Sequence, residues 1–194
     1  VQPNMKPLIK LLNLLGTKQC MTLLGAFVVG VLFVVLFNSG MSYTNTTEFC
    51  ISCHSMKNNM NELQETMHWK NPSGVHAGCP DCHVPKPFLP KMKAKIIAVK
   101  DVAHEILGTV DTPEKFEARR WHMASLVWER MRASDSRECR NCHGYAHMDF
   151  EAQIRIARKK HNREQARRVA GETGKTCIDC HQGVAHTEPD EPDE

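Results

Sequence analysis

Eight of the nine cysteines in this 194-residue chain recur in one arrangement: two cysteines two residues apart, with a histidine directly after the second. The copies are Cys50-Ile51-Ser52-Cys53-His54, Cys79-Pro80-Asp81-Cys82-His83, Cys139-Arg140-Asn141-Cys142-His143 and Cys177-Ile178-Asp179-Cys180-His181. A C-x-x-C-H unit suits one porphyrin edge. Its two thiols add across the vinyl groups as thioethers, and the adjacent histidine falls under the iron as proximal ligand. Zinc would use paired cysteines without needing a histidine after every pair. A redox dithiol occurs singly, beside a strand–helix unit. Four copies without exception predict four covalently attached c-type haems. Cys50, Cys53, Cys79, Cys82, Cys139, Cys142, Cys177 and Cys180 hold them, and His54, His83, His143 and His181 are the proximal ligands.

An electron-carrying haem fills its second axial position with histidine or methionine. Seven histidines lie outside the motifs. A motif, a lone histidine and a second motif follow one another twice: His54, His68, His83, then His143, His161, His181. That order suggests two haem pairs arranged alike and makes His68 and His161 candidates for distal ligands. His186 closes the short loop Gly183-Val184-Ala185-His186 and is a third candidate. His76, His104, His122 and His147 are read as surface or hydrogen-bonded side chains.

These sites need elements to position them. No charged side chain occurs from Gln19 to Thr47, and Met21–Phe37 is almost wholly apolar. About 20 apolar residues cross a bilayer core as a helix, whereas a cleaved secretory signal has an apolar region of about 7–15 residues. The expected layout is a cytoplasmic N-terminus at 1–19, an anchor helix at 20–40, a tetrahaem domain at 41–187 and an acidic, disordered tail at 188–194. Lys6, Lys10 and Lys18 precede the anchor without an acidic residue, so the positive-inside rule keeps the N-terminus in the cytoplasm. The haem domain of this single-pass protein of the bacterial inner membrane then faces the periplasm. Cys20, at the membrane edge, is read as a small, moderately apolar residue.

The predicted fold is mainly α, a small domain of helices and loops wrapped around its haems. So few aromatic and alternating β-branched residues make a thin protein-only core. Helical spacing predicts helices over 92–107, over 112–133 with Pro113 in the first turn, and from Asp149 to about Gly171 or Gly174. The formal charge is +3, but haem propionates, about two negative charges per haem, make the holoprotein acidic. Nucleic acid is therefore not an expected partner.

The anchor, the four motifs and the segments around them resemble the NapC/NirT family of membrane tetrahaem quinol dehydrogenases. The likeness is carried by Glu48–Met56, Ser73–Pro85, Ala133–His143 and Gly174–His186, with Thr112–Ala118 and Met148-Asp149-Phe150. It implies a protein that takes electrons from menaquinol or ubiquinol in the lipid bilayer. They pass to a periplasmic reductase or its cytochrome subunit, for the NapC branch the nitrate reductase. It implies that His68, His161 and His186 are distal ligands, and that Lys95 and Asp101 line a quinol pocket beside the first haem. There the lysine would hold a quinone oxygen and the carboxylate would accept a proton. For the first iron, His54 is the leading proximal ligand and Met56 the second candidate, with the other side open or shielded by Asp101. Two alternatives stand beside this expectation: the same quinol oxidation feeding a nitrite, N-oxide or S-oxide reductase, and a haem enzyme reducing a small molecule at an open iron.

Overall fold

The apolar run folds as one helix, α1, over Thr17–Tyr43, in a computed structural model that describes residues 16–192. Lys6 and Lys10, on which the expected orientation partly rests, lie outside the described residues, as do the last two residues of the tail. The 27 residues of α1 make a rod of about 40 Å, longer than the roughly 30 Å apolar thickness of a bilayer. None of its side chains is buried. Its most apolar window has a mean hydropathy of 2.7, enough to cross a membrane. Polar side chains within it bond to the preceding turn: Thr22 Oγ1 donates to the Lys18 carbonyl at 2.9 Å and Asn38 Nδ2 to the Val34 carbonyl at 2.8 Å. A polar group in lipid needs such a partner, because no water supplies one.

The chain divides into two compact units, one up to Thr44 and one from Asn45 onward. The second holds α2 (Thr47–Cys50), α3 (Met56–Gln64), α4 (Cys79–His83), α5 (Phe88–Ile106), α6 (Pro113–Glu117), α7 (Arg120–Ala133) and α8 (Arg155–Val169). Short 3-10 turns lie at Cys139–Asn141, Tyr145–His147 and Cys177–Asp179. Among the described residues there is no strand, so the fold is mainly α. Its apolar core is small: Met60, Leu63, Val110, Phe116, Trp128 and Ile178. Trp121 meets Trp128 edge to face at 5.5 Å.

Several helices depart from the sequence expectation: α5 begins at Phe88 rather than 92, and others differ for local reasons. The single helix expected over 112–133 is two. Thr112 caps α6 by accepting from the Lys115 N–H at 3.3 Å. The helix then tightens where the Arg119 N–H bonds the Phe116 carbonyl, an i→i−3 closure typical of a helix end. The chain restarts at Arg120, whose guanidinium binds the Glu62 carboxylate. The helix expected from Asp149 begins at Arg155, because the Asp149 carboxylate caps a separate turn through the N–H groups of Glu151 and Ala152 at 3.0 and 3.1 Å. Helix α3 carries only two buried apolar side chains, Met60 and Leu63, too few to give a periodic signal. The described part of the tail, 188–192, has no regular structure.

Candidate functional site

The four motifs meet in two pairs. Cys50 lies against Cys79, and Cys139 lies against Cys177. That contact and burial push the Cys50 and Cys139 thiols up. The same contact holds Cys79 and Cys177 down, to about 7 and about 6. Burial pushes the Cys82 thiol up to about 11.

The pairs are built alike. A hydroxyl three residues before the first cysteine of one motif accepts from the backbone of the next. Thr47 Oγ1 accepts from the Cys79 N–H at 3.3 Å, and Ser136 Oγ accepts from the Ile178 N–H at 3.2 Å. The aspartate inside each receiving motif caps its own turn. Asp81 accepts from the Gly78 N–H at 2.9 Å, and Asp179 from the Thr176 N–H at 2.7 Å. Arg132 of α7 clips the fourth motif by donating to Asp179 at 2.7 Å. Gly78 is the point of closest approach: a Cβ there would strike the Thr47 hydroxyl. The shared Cys-x-Asp-Cys-His form of the second and fourth motifs was a visible signal of this capping, which the sequence reading did not use.

Three motif histidines each face one histidine from outside the motifs. Ring centroids lie 6.2 Å apart for His68 and His143, 6.2 Å for His83 and His186, and 5.8 Å for His161 and His181. A metal–imidazole bond is about 2.0–2.1 Å. Adding about 1.1 Å from ring nitrogen to centroid, two imidazoles on opposite sides of one metal have centroids about 6.2 Å apart. The spacing fits a haem iron between each pair. Two of the outer histidines, His68 and His161, also address acceptors through Nδ1, which leaves Nε2 for a metal. His68 Nδ1 lies 3.3 Å from the Val184 carbonyl and His161 Nδ1 lies 2.7 Å from Gln153 Oε1. His186 Nδ1, a buried atom, lies 3.8 Å from the Glu62 carboxylate. Gln153 and Glu62 were not foreseen. His76 and His104 are tied locally instead, to the Trp69 carbonyl at 2.6 Å and the Thr109 hydroxyl at 2.9 Å.

The first motif differs, since among the described residues no ring pair includes His54. Its surroundings are acidic and polar. Glu105 of α5 accepts from the His54 N–H at 2.9 Å and the Ser55 hydroxyl at 2.7 Å. A hollow of about 220 Å³ lies alongside, lined by His54, Lys57, Asn58, Asp111 and Pro113. Met56 starts α3, with its sulfur 3.9 Å from Asn59 Nδ2. Lys95 comes half-buried to the Cys50 thiol; burial holds its pKa below the usual lysine value, partly offset by Cys50. Asp101 is exposed, six residues further along α5. At about 100° per residue it points some 120° away from Lys95. Glu105, another residue the sequence reading missed, is the α5 carboxylate that touches the motif.

The family model described as "NapC/NirT cytochrome c family, N-terminal region" matches residues 15–191. A protein of Allochromatium vinosum named as tetraheme cytochrome-c type is 57% identical over 168 residues, covering 87% of this chain and 88% of the relative. The cytochrome c-type protein NapC of Escherichia coli K12 is 50% identical over 169 residues, 87% of this chain and 82% of its own. The denitrification system component NirT of Stutzerimonas stutzeri is 49% identical over 169 residues, 87% of this chain and 81% of its own. No solved structure matches the chain.

Proposed function

This chain belongs to the NapC/NirT cytochrome c family, and on that premise we propose that it is a membrane quinol dehydrogenase feeding a periplasmic reductase, first of all the nitrate reductase. Family membership makes it an electron-transfer cytochrome with covalently bound haem c. The finer reading is four haems, one per motif, on a single-pass anchor with the haem unit on the periplasmic side.

The observation that carries this reading is the set of three histidine ring pairs at 5.8–6.2 Å. Under it, His83 and His186 hold the second haem, His143 and His68 the third, and His181 and His161 the fourth. His54 binds the first iron, with Met56 as the competing ligand. When bound, the haems supply one-electron carriers and the apolar bulk that six buried apolar side chains cannot. His68 and His186 come from segments far from the motifs they serve, so the ligands fasten the unit together.

At the first motif the residues fit quinol chemistry. Oxidising one quinol to quinone releases two electrons and two protons. The Lys95 ammonium holds the quinone oxygen near Cys50; the Asp101 carboxylate accepts one proton and, being exposed, returns it to water, and the second proton passes to water directly. The nearly equal identity to NapC and NirT relatives favours keeping a second acceptor in view, a nitrite, N-oxide or S-oxide reductase. Purified holoprotein in liposomes should be reduced by a menaquinol or ubiquinol analogue and then reoxidised by the nitrate reductase complex. Mostly high-spin haem, with turnover of nitrite or hydroxylamine by the protein alone, would refute the proposal.

A further inference from the structure

Helix α5 has two sides of different character. Glu105, bonded to His54 and Ser55, marks the side turned to the first motif, and Lys95 lies about 80° from it beside Cys50. On the opposite side, within about 20° of the line facing away from Glu105, lie Leu89 and Ile96, which are 77% and 69% exposed. Val99 and Ile106 continue the same strip toward the Lys95 edge, and Ile106 is 79% exposed. Leu89 and Ile96 face away from the first motif, so a haem attached at Cys50 and Cys53 does not cover that part of the strip.

Lysines border the strip on both sides, Lys93 and Lys100 along one edge and Lys91 and Lys95 along the other. From Cys82 to Lys100 there are five lysines and no acidic residue. An apolar stripe of this length between two basic edges is the pattern of a helix lying in a membrane interface, with the stripe among acyl chains and the ammonium groups at lipid phosphates. Continuity in sequence selects a bilayer over a protein groove as its cover. Only six residues separate Tyr43, the end of the membrane-length helix, from Cys50, and α5 grips the residues just after Cys50.

We propose that α5 is a second membrane contact, lying along the bilayer surface with Leu89, Ile96, Val99 and Ile106 among the lipids and Lys91, Lys93 and Lys100 on anionic headgroups. This contact holds Lys95 and the first motif at the depth of a quinol headgroup. It rests on the residues of α5, and quinol oxidation can fail while it stands.

The test uses full-length holoprotein in nanodiscs of phosphatidylcholine with or without phosphatidylglycerol. A photo-crosslinking amino acid replaces Ile96, and in a second sample Ile156 of α8, which is 64% exposed. Retained haem absorbance shows that both samples are folded. Lipid adducts should form at position 96 at least tenfold more than at 156. Lys93→Glu with Lys100→Glu should lower the yield at 96 in phosphatidylglycerol discs. Equal yields at 96 and 156, or adducts at 96 only to protein, would overturn the membrane contact. A yield unchanged by the charge reversals would overturn its electrostatic part. Quinol-driven reduction, measured on the same discs, reads the dehydrogenase proposal separately.

Discussion

The Ser136 hydroxyl accepts a hydrogen bond from the Ile178 N–H at 3.2 Å, joining the third haem motif to the fourth. Ser136 is wholly buried and left-handed, with φ 46°, a conformation uncommon for a residue with a side chain. Its own N–H closes α7 on the Met131 carbonyl at 2.6 Å. Thr47 does the same for Cys79 at 3.3 Å from ordinary helix geometry. The two halves therefore share one hydroxyl bridge, set in a different backbone each time.

Removing the hydroxyl at Ser136 strands a buried N–H, which costs about 1–3 kcal/mol. Ser136→Ala should lower the unfolding free energy of the holoprotein by that amount, measured by denaturant titration. Thr47→Ala should cost less, because Thr47 is only half-buried. Ser136→Gly tests the backbone: it loses the same bond but relieves the left-handed strain, so it should fall between wild type and alanine. Equal stability of all three serine-site proteins would show that the bridge holds nothing.

The ring pairs make a count that spectroscopy can check. His68→Ala, His161→Ala and His186→Ala should each convert one haem from low to high spin and leave the others unchanged in electron paramagnetic resonance. No double substitution among them should act on the same haem. His54→Ala and Met56→Ala then separate the two candidates at the first iron, since only the true ligand changes its spectrum. A histidine variant that leaves every low-spin signal intact removes that residue from the ligand set.

Much of this was legible in the sequence for physical reasons. Thioether chemistry needs Cys, Cys and His at fixed local spacing, so Cys50–His54 and its three repeats announce themselves. A bilayer span needs a run of apolar residues, so α1 does too. His68 and His161 showed through the repeated order of motif and lone histidine. Contacts made across long stretches of chain did not show. Glu105 reaches His54 from 51 residues away and Glu62 reaches Thr187 from 125, and no local pattern marks either glutamate. Helix ends set by tertiary bonds were equally hidden: Arg120 restarts α7 where it can meet Glu62, against an unbroken helical pattern.

Glu62 should matter twice. Burial alone would raise its pKa, but the Arg120 guanidinium and the Thr187 N–H hold it below its ordinary value of 4.5. A carboxylate depressed on folding stabilises the protein above its unfolded pKa and loses that contribution as pH falls through the folded one. Wild type should therefore lose denaturant resistance as pH falls below about 4.5, and Glu62→Gln should lose less across the same window. The same carboxylate lies 3.8 Å from His186 Nδ1, without a hydrogen bond, and its negative charge beside a ligating imidazole favours the oxidised, more positive iron. Glu62→Gln should raise the potential of the haem held by His83 and His186, by on the order of 60 mV, the tenfold step for one electron. Arg120→Met, which leaves the carboxylate uncompensated, should lower it. Shifts of the same sign in both variants would mean that packing, not charge, sets the potential.

Lys95 and Asp101 should fail in different ways. Lys95 sits half-buried beside Cys50, where a held oxygen would be bound in ground state and transition state alike. Lys95→Ala should raise the KM for quinol and change kcat little. Asp101 is exposed and suited to carrying a proton away, so Asp101→Asn should lower kcat, by about 100-fold or more if it is the main acceptor. Reduction by dithionite needs neither residue and should be unchanged in both. Glu105→Gln weakens the bonds that hold His54 and Ser55, so it should shift the first haem's spectrum without moving the KM for quinol. Quinol-driven reduction at wild-type rate and KM in both Lys95→Ala and Asp101→Asn would place the pocket elsewhere. The hollow beside His54 and Asp111 would then be the next site to substitute, since it lies against the same motif and is lined by residues of neither α5 charge.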